Sequence, residues 1–249
     1  MNSDGTRIAV SAPYNDGGGS DSGHVRVYDW NGSSWTQVGS DIDGEGEAAG
    51  DESGYSVAMS SDGTRIAIGA PNNDGVLIDN TSNQNSGHVR VYELNGSSWT
   101  QVGSTIEGEA VADRSGWSVA MNGDGTRIAI GAPYNDDTGS NRGHVRVYDF
   151  NGSRWNKVGG NINDWGGNNT AAGGAVAISK DGTRIAIGAG FPGRGARIYE
   201  RDISNTTYSP IGWRRVGVSD SSTGYTINGE TSGDRSGYSV AMDGNGTII

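Results

Sequence analysis

The stretch Gly54-Tyr55-Ser56-Val57-Ala58-Met59-Ser60-Ser61-Asp62-Gly63-Thr64-Arg65-Ile66-Ala67-Ile68-Gly69-Ala70-Pro71 decides the fold. Tyr55, Val57 and Met59 alternate with Ser56 and Ala58, the period-two pattern of a half-buried strand. Ser61-Asp62-Gly63-Thr64 reads as a tight turn, because glycine accepts a positive φ without steric cost. Arg65 to Ala70 returns as a second strand, with Ile66 and Ile68 on one face. The stretch is therefore a predicted β-hairpin.

Working outward, a polar loop follows Pro71. His88-Val89-Arg90-Val91-Tyr92 then predicts a third strand, Asn95-Gly96 a second hairpin turn, and Trp99 to Val102 a fourth strand. A further loop, Gly103 to Ser115, leads to Gly116-Trp117-Ser118-Val119-Ala120-Met121, where the same order restarts. The Asp-Gly-Thr step recurs at Asp4, Asp62, Asp124 and Asp181, and a variant begins at Asn245; the intervals are 58, 62, 57 and 64 residues. Four antiparallel strands per cycle of roughly sixty residues make one blade of a β-propeller. Residues 1–249 are thus read as one all-β array of four cycles with a partial fifth at 245. In the fourth cycle Gly173-Gly174-Ala175 replaces the aromatic start, the loop at 190–194 is short, and Arg201 to Gly212 lengthens the second hairpin.

The chain starts and ends inside a cycle, since Met1 aligns with Met59, Met121 and Met242. In a complete chain, Tyr238 to Met242 would pair with Arg7 to Val10 and close a four-bladed ring. The tail Asn245 to Ile249 duplicates Asp4 to Ile8 and competes for that place. The sequence reading leans on this redundancy toward a piece of a longer array, or toward a subunit that assembles through its terminal strands.

Composition sets bounds. The 44 glycines, with Asn, Asp, Ser and Thr between short apolar runs, suit many strands joined by tight turns. There is no cysteine, so no disulfide staples the fold. The formal net charge of -11 opposes nucleic acid and anionic membranes as partners. No apolar run reaches membrane-spanning length, and Met1-Asn2-Ser3-Asp4 has no signal-peptide pattern. Trp35, Trp99, Trp155 and Trp213 share one repeat position and are read as packing residues between blades. Tyr28, Tyr92, Tyr148 and Tyr199 share another, after the third strand.

The segments Ser53 to Pro71 and Ser86 to Glu93 resemble the FG-GAP repeat, the unit of integrin α-chain propellers and of many bacterial and algal surface proteins. Ser-Gly plus an aromatic (Tyr55, Trp117, Tyr238) stands where the family has Phe-Gly. Gly69-Ala70-Pro71 and Gly131-Ala132-Pro133 carry the second element, varied to Ser11-Ala12-Pro13 and Gly188-Ala189-Gly190 in the outer cycles. The resemblance implies a propeller, seven-bladed in most members, with an extracellular or cell-surface binding, adhesion or structural role.

Three sets of residues could carry chemistry. The loops after Ala-Pro hold Asn15, Asp16 and Asp21, then Asn73, Asp74 and Asp79, then Asn135, Asp136 and Asp137. Such oxygens suit calcium, although Asx turns in solvated loops use the same residues. The resemblance implies calcium loops of the pattern Asp-x-Asp-x-Asp-Gly-x-x-Asp. No loop has it; Asp41-x-Asp43-Gly44-x-Gly46-Glu47 is the nearest partial match. His24, His88 and His144 share one repeat position, so they fall on different blades and do not converge on one metal; they read as structural. Asn31, Asn80, Asn95, Asn151, Asn168, Asn205 and Asn245 open N-glycosylation sequons, three of them at Asn-Gly turns. The acids Glu45, Glu47, Glu107 and Glu109 recur with the loops, and no nucleophile elbow is present, so no catalytic set stands out.

The expectation is a non-enzymatic extracellular or surface propeller that binds a protein or glycan. The alternative is a structural subunit that self-assembles into an extracellular fibre or array. Neither nucleic acid nor membrane insertion is expected, and calcium is the one candidate cofactor.

Overall fold

The computed structural model describes residues 1–44, 49–75, 84–163, 168–189, 195–207, 210–216, 227–231 and 234–249. Among them there is no helix, and seventeen strands form four antiparallel sheets. Blade 1 holds β1 (Arg7–Ala12), β2 (His24–Trp30), β3 (Trp35–Gln37) and the short β4 (Ile42–Asp43). Blade 2 holds β5 (Ser56–Met59), β6 (Arg65–Ala70), β7 (His88–Asn95), β8 (Ser98–Gln101) and β9 (Ile106–Glu107). Blade 3 holds β10 (Ser118–Met121), β11 (Arg127–Ala132), β12 (His144–Phe150) and β13 (Trp155–Lys157). Blade 4 holds β14 (Ala172–Ile178), β15 (Arg184–Ala189), β16 (Ala196–Arg201) and β17 (Trp213–Arg215).

The main strands of each blade form a meander in sequence order, as the hairpin pattern predicts, while the short β4 and β9 pair back onto β2 and β7. Gly63 (φ 73°) and Gly96 (φ 62°) occupy the left-handed region that their turns require. The Asp of each Asp-Gly-Thr step fixes its turn: the Asp62 carboxylate accepts both the Thr64 amide (3.0 Å) and its hydroxyl (2.9 Å). Blade 1 opens at the second-strand position with β1, as a start inside a cycle implies. Blade 4 departs at Gly173-Gly174, where the register shifts between Ala172 and Ala175.

The core lies between blades, in three layers. Val25, Val27 and Ile42 of blade 1 meet Ile66 and Ile68 of blade 2. Ala67, Val89, Val91 and Ile106 of blade 2 meet Val119, Met121, Ile128 and Ile130 of blade 3. Val145, Val147, Val158 and Ile162 of blade 3 meet Ile185, Ile187, Tyr199 and Trp213 of blade 4. Alternation along β6 is thus two-sided: Ile66 and Ile68 face backward and Ala67 forward.

The repeat tryptophans do pack between blades. The indole N–H of Trp99 donates to the Val38 carbonyl (3.0 Å), Trp155 to Val102 (3.0 Å) and Trp213 to Val158 (3.3 Å). Trp35 heads the first blade, stacks on Trp30 at 5.4 Å and is 41% exposed. Glycines of the Gly-Ala-Pro element allow close approach in the other direction. A Cβ on Gly69 would lie 2.1 Å from the Gly116 carbonyl oxygen, and one on Gly131 2.0 Å from that of Gly173. Ser56 and Ser118 each donate a hydroxyl to the same carbonyls at 2.7 Å.

The hairpin tips are tied in series by backbone bonds: Ser3 to Ser61, Ser61 to Gly123, Gly123 to Lys180, and Lys180 to Gly244. Among the described residues, Tyr238 to Met242 forms no strand and pairs with no residue of β1. The tail instead lies on blade 4 as the opening of a further cycle, with the Gly246 carbonyl accepting from Arg184 at 3.0 Å.

Candidate functional site

The first strands of successive blades are neighbours, β5 beside β10 and β10 beside β14, so residues at their starts are brought together. Tyr55 and Trp117 hold that position in blades 2 and 3, and their rings are 4.7 Å apart. Tyr134, which follows Pro133, sits edge-on to Trp117 at 5.5 Å. The Tyr55 hydroxyl has its pKa raised, first by burial and then by the nearby Glu52 carboxylate and the hydroxyls of Tyr14, Tyr238 and Tyr134. Tyr55, Trp117 and Tyr134 are each partly exposed, so the cluster opens to solvent.

Local backbone geometry presents charges beside the rings. Glu52 (φ 57°), Arg114 (φ 53°) and Arg235 (φ 53°) stand three residues before Tyr55, Trp117 and Tyr238, all in the left-handed region. A left-handed non-glycine residue carries strain, and such strain concentrates at functional positions. The Arg114 guanidinium lies over Tyr134 at 4.9 Å and Trp117 at 5.7 Å. Burial pushes the Glu52 carboxyl above its ordinary value, and Arg114 partly offsets this. The result is a set of part-exposed ring faces, with hydroxyls, a carboxylate and a guanidinium at their edges. That combination suits a ligand with both apolar faces and hydrogen-bonding groups. The sequence showed the aromatics as a repeat position; their convergence follows from blade packing.

The acidic and amide loops are built differently. The Asn15, Asn73 and Asn135 side-chain carbonyls accept the amides of Gly17, Gly75 and Asp137 as Asx turns. Asp16, Asp74 and Asp136 accept the amides of Asp21, Asn85 and Asn141 across the loop. Asn73 and Asn135 are buried and donate to Asp51 (2.6 Å) and Asp113 (2.8 Å). Burial raises the Asp113 carboxyl to about 6, against the hydrogen bond from Asn135. These loops lie on separate blades, and Asp79 falls outside the described residues. Among their described residues, Asp137 alone faces a histidine, His144.

Of the sequon asparagines, Asn31, Asn95, Asn151, Asn168 and Asn245 are exposed. Asn205 commits its amide to the carbonyls of Pro210 and Trp213, both at 3.0 Å. Asn80 lies outside the described residues. The three histidines do not converge, as their shared repeat position implied. The side chains that sequence reading left without a role are Arg7, Arg65, Arg127 and Arg184 of the turn motif. Each reaches the carbonyl of the next turn glycine, at 2.8 to 3.3 Å.

No curated protein matches the chain in sequence. Among solved structures, it superposes on a protein from Bacteroides uniformis ATCC 8492 provisionally named as a 6-phosphogluconolactonase. The TM-score is 0.54 at 12% identity, over 87% of this chain and 52% of that one. A similarly named protein from Bacteroides fragilis NCTC 9343 gives a TM-score of 0.53 at 13% identity, over 86% and 51%. The chain therefore spans about half the length of these structures, and at such identity the likeness shows the propeller fold alone. Residues 35–92 and 99–148 match the FG-GAP repeat. Over those two spans, and in the blades they build, the chain is similar to the FG-GAP repeat family.

Proposed function

We propose that the chain is a non-enzymatic binding module of an extracellular or cell-surface β-propeller, and that its ligand is a glycan held at the aromatic cluster. The observation that carries this reading is the convergence of Tyr55, Trp117 and Tyr134 beside Arg114. Sugar rings have apolar C–H faces that stack on aromatic rings, and hydroxyls that suit guanidinium and carboxylate partners. FG-GAP repeats, typical of surface proteins, support the location. A glycan array with the whole chain and its Trp117→Ala variant tests the reading. Binding of a defined glycan class that the variant loses, at unchanged melting temperature, supports it. An array with no binder, or with binders indifferent to the substitution, overturns it.

A second reading has its own observation. Trp35 stacks on Trp30 as an exposed pair, at the position where each of the next three blades packs a tryptophan against a carbonyl of the preceding blade. A second copy, seated there through its last blade, would make the chain the subunit of an extracellular fibre or array. Light scattering across a concentration series distinguishes the two: a fixed monomer mass favours the binding module, and mass growing with concentration favours assembly.

A further inference from the structure

His24, His88 and His144 start equivalent strands, yet their settings differ. His24 lies 3.8 Å from Asp41, but Arg26 already claims that carboxylate with bonds of 2.8 and 3.0 Å. His88 accepts from the Arg90 guanidinium at 3.2 Å. His144 is wholly buried, and its Nε2 has no hydrogen-bond partner. That nitrogen is 3.8 Å from Glu109 Oε2, while Nδ1 is 4.0 Å from Asp137 Oδ2. An unpaired buried nitrogen is costly unless something fills the place beside it.

The surroundings hold this arrangement in place. Glu109 arrives from the loop after β9 of blade 2, and Asp137 from the loop after β11 of blade 3. Lys157 (3.2 Å) and Arg146 (3.5 Å) engage Glu109 through Oε1, which leaves Oε2 turned toward the imidazole. Asn161 donates to that Oε2 at 3.1 Å, and its own carbonyl oxygen is buried without a partner. A buried imidazole with an orphaned nitrogen and two carboxylates therefore lie close together. Asp137 is about half exposed, so the spot is open to solvent.

We propose that Glu109, Asp137 and His144 form a binding site for a divalent transition cation, of which Zn²⁺ is the probe. One ligand atom from each residue lies within 4.8 Å of the others. Bonds of about 2.0–2.1 Å to zinc place tetrahedral ligand atoms roughly 3.3 Å apart, so a modest inward rotation of the two acidic side chains completes the set. Imidazole with carboxylates selects zinc-like ions over calcium, which takes oxygen alone. Asn161 would supply the fourth ligand or hold Glu109 in orientation. The site is distinct from the aromatic cluster.

Calorimetry of the tag-free chain, stripped with chelator and titrated with Zn²⁺ alone, is the test. The expected result is one equivalent bound, with Glu109→Gln and Asp137→Asn each weakening it by at least tenfold, and His24→Asn leaving it unchanged. Cobalt substitution should give visible d–d absorption that His144→Asn abolishes. His144→Asn could fail to fold, but Asp137→Asn sits on an exposed loop and keeps the test decisive. Absence of binding, or binding that Asp137→Asn and Glu109→Gln both leave intact, overturns the proposal.

Discussion

Arg127 of blade 3 donates Nη1 to the Gly182 carbonyl of blade 4 at 2.8 Å, while its Nε and Nη2 grip Asp149 at 2.6 and 2.7 Å. One guanidinium thus joins a strand pair within a blade to the turn of the next. The fork geometry explains why arginine, and not lysine, follows every Asp-Gly-Thr step, since a lysine ammonium cannot serve both directions from one plane. Such side chains join the blades alongside the apolar layers between them.

The tryptophans allow that division to be measured. Trp213 is 1% exposed. Trp213→Ala should destabilise the chain by about 3–5 kcal/mol in urea unfolding. Trp213→Phe, which retains a ring but loses the donor to Val158, should cost about 1–2 kcal/mol. Trp35→Ala, at the exposed position, should cost under about 1 kcal/mol. Equal losses at Trp35 and Trp213 would contradict the inter-blade role.

Glycine positions separate close approach from turn conformation. Gly131→Ala places a Cβ 2.0 Å from the Gly173 carbonyl oxygen, so neighbouring blades must part. A loss of about 3 kcal/mol or more is expected. Gly152 has φ 95° and open space around it, and Gly152→Ala should cost about 1–2 kcal/mol from backbone strain alone. The ranking is checked by denaturation midpoints of the two variants.

Acid should weaken the fold through His88. Burial, then the Arg90 charge, lowers its pKa to about 3, well below the ordinary value of 6.5. Between those values the unfolded chain binds a proton that the folded chain refuses. Stability is therefore complete above about pH 6.5 and falls as pH drops toward 3. His88→Gln removes this group, and its melting temperature should decline less than that of the parent from pH 7 to pH 4. An unchanged slope would show that His88 contributes nothing to acid sensitivity.

Calcium should leave the loops as they are. Asp16, Asp74 and Asp136 already direct one carboxylate oxygen at a backbone amide within their own loops. Melting temperatures in millimolar calcium and in chelator should coincide. A calcium-dependent rise would mean that the remaining oxygens bind the ion, by preferential stabilisation of the folded state.

The local pattern was legible because a strand announces itself over five residues. Tyr55-Val57-Met59 alternation, Asp62-Gly63 and Asn95-Gly96 each report on neighbours along the chain, and blade order follows from them. The tryptophan position was also readable, since a large ring in a short outer strand needs a surface to cover. Contacts across blades were not readable. Glu109 and His144 are 35 residues apart in the chain, and whether they meet depends on how far one blade is rotated over the next. The same holds for Tyr55, Trp117 and Tyr134. A repeat position tells which residues are equivalent, not which ones converge.

The bonds between blades join unlike surfaces. Arg127 and Ser118 reach forward to blade 4, and Trp155 reaches back to blade 2. Such a junction has no twofold axis, because one face offers an arginine and a serine as donors and the other an indole, so the two patches are never alike. Copies of this chain meeting through it could not form an isologous dimer. They would repeat one rotation and one translation, head to tail, closing into a ring if the pitch vanished and otherwise winding a polar helix with two dissimilar ends.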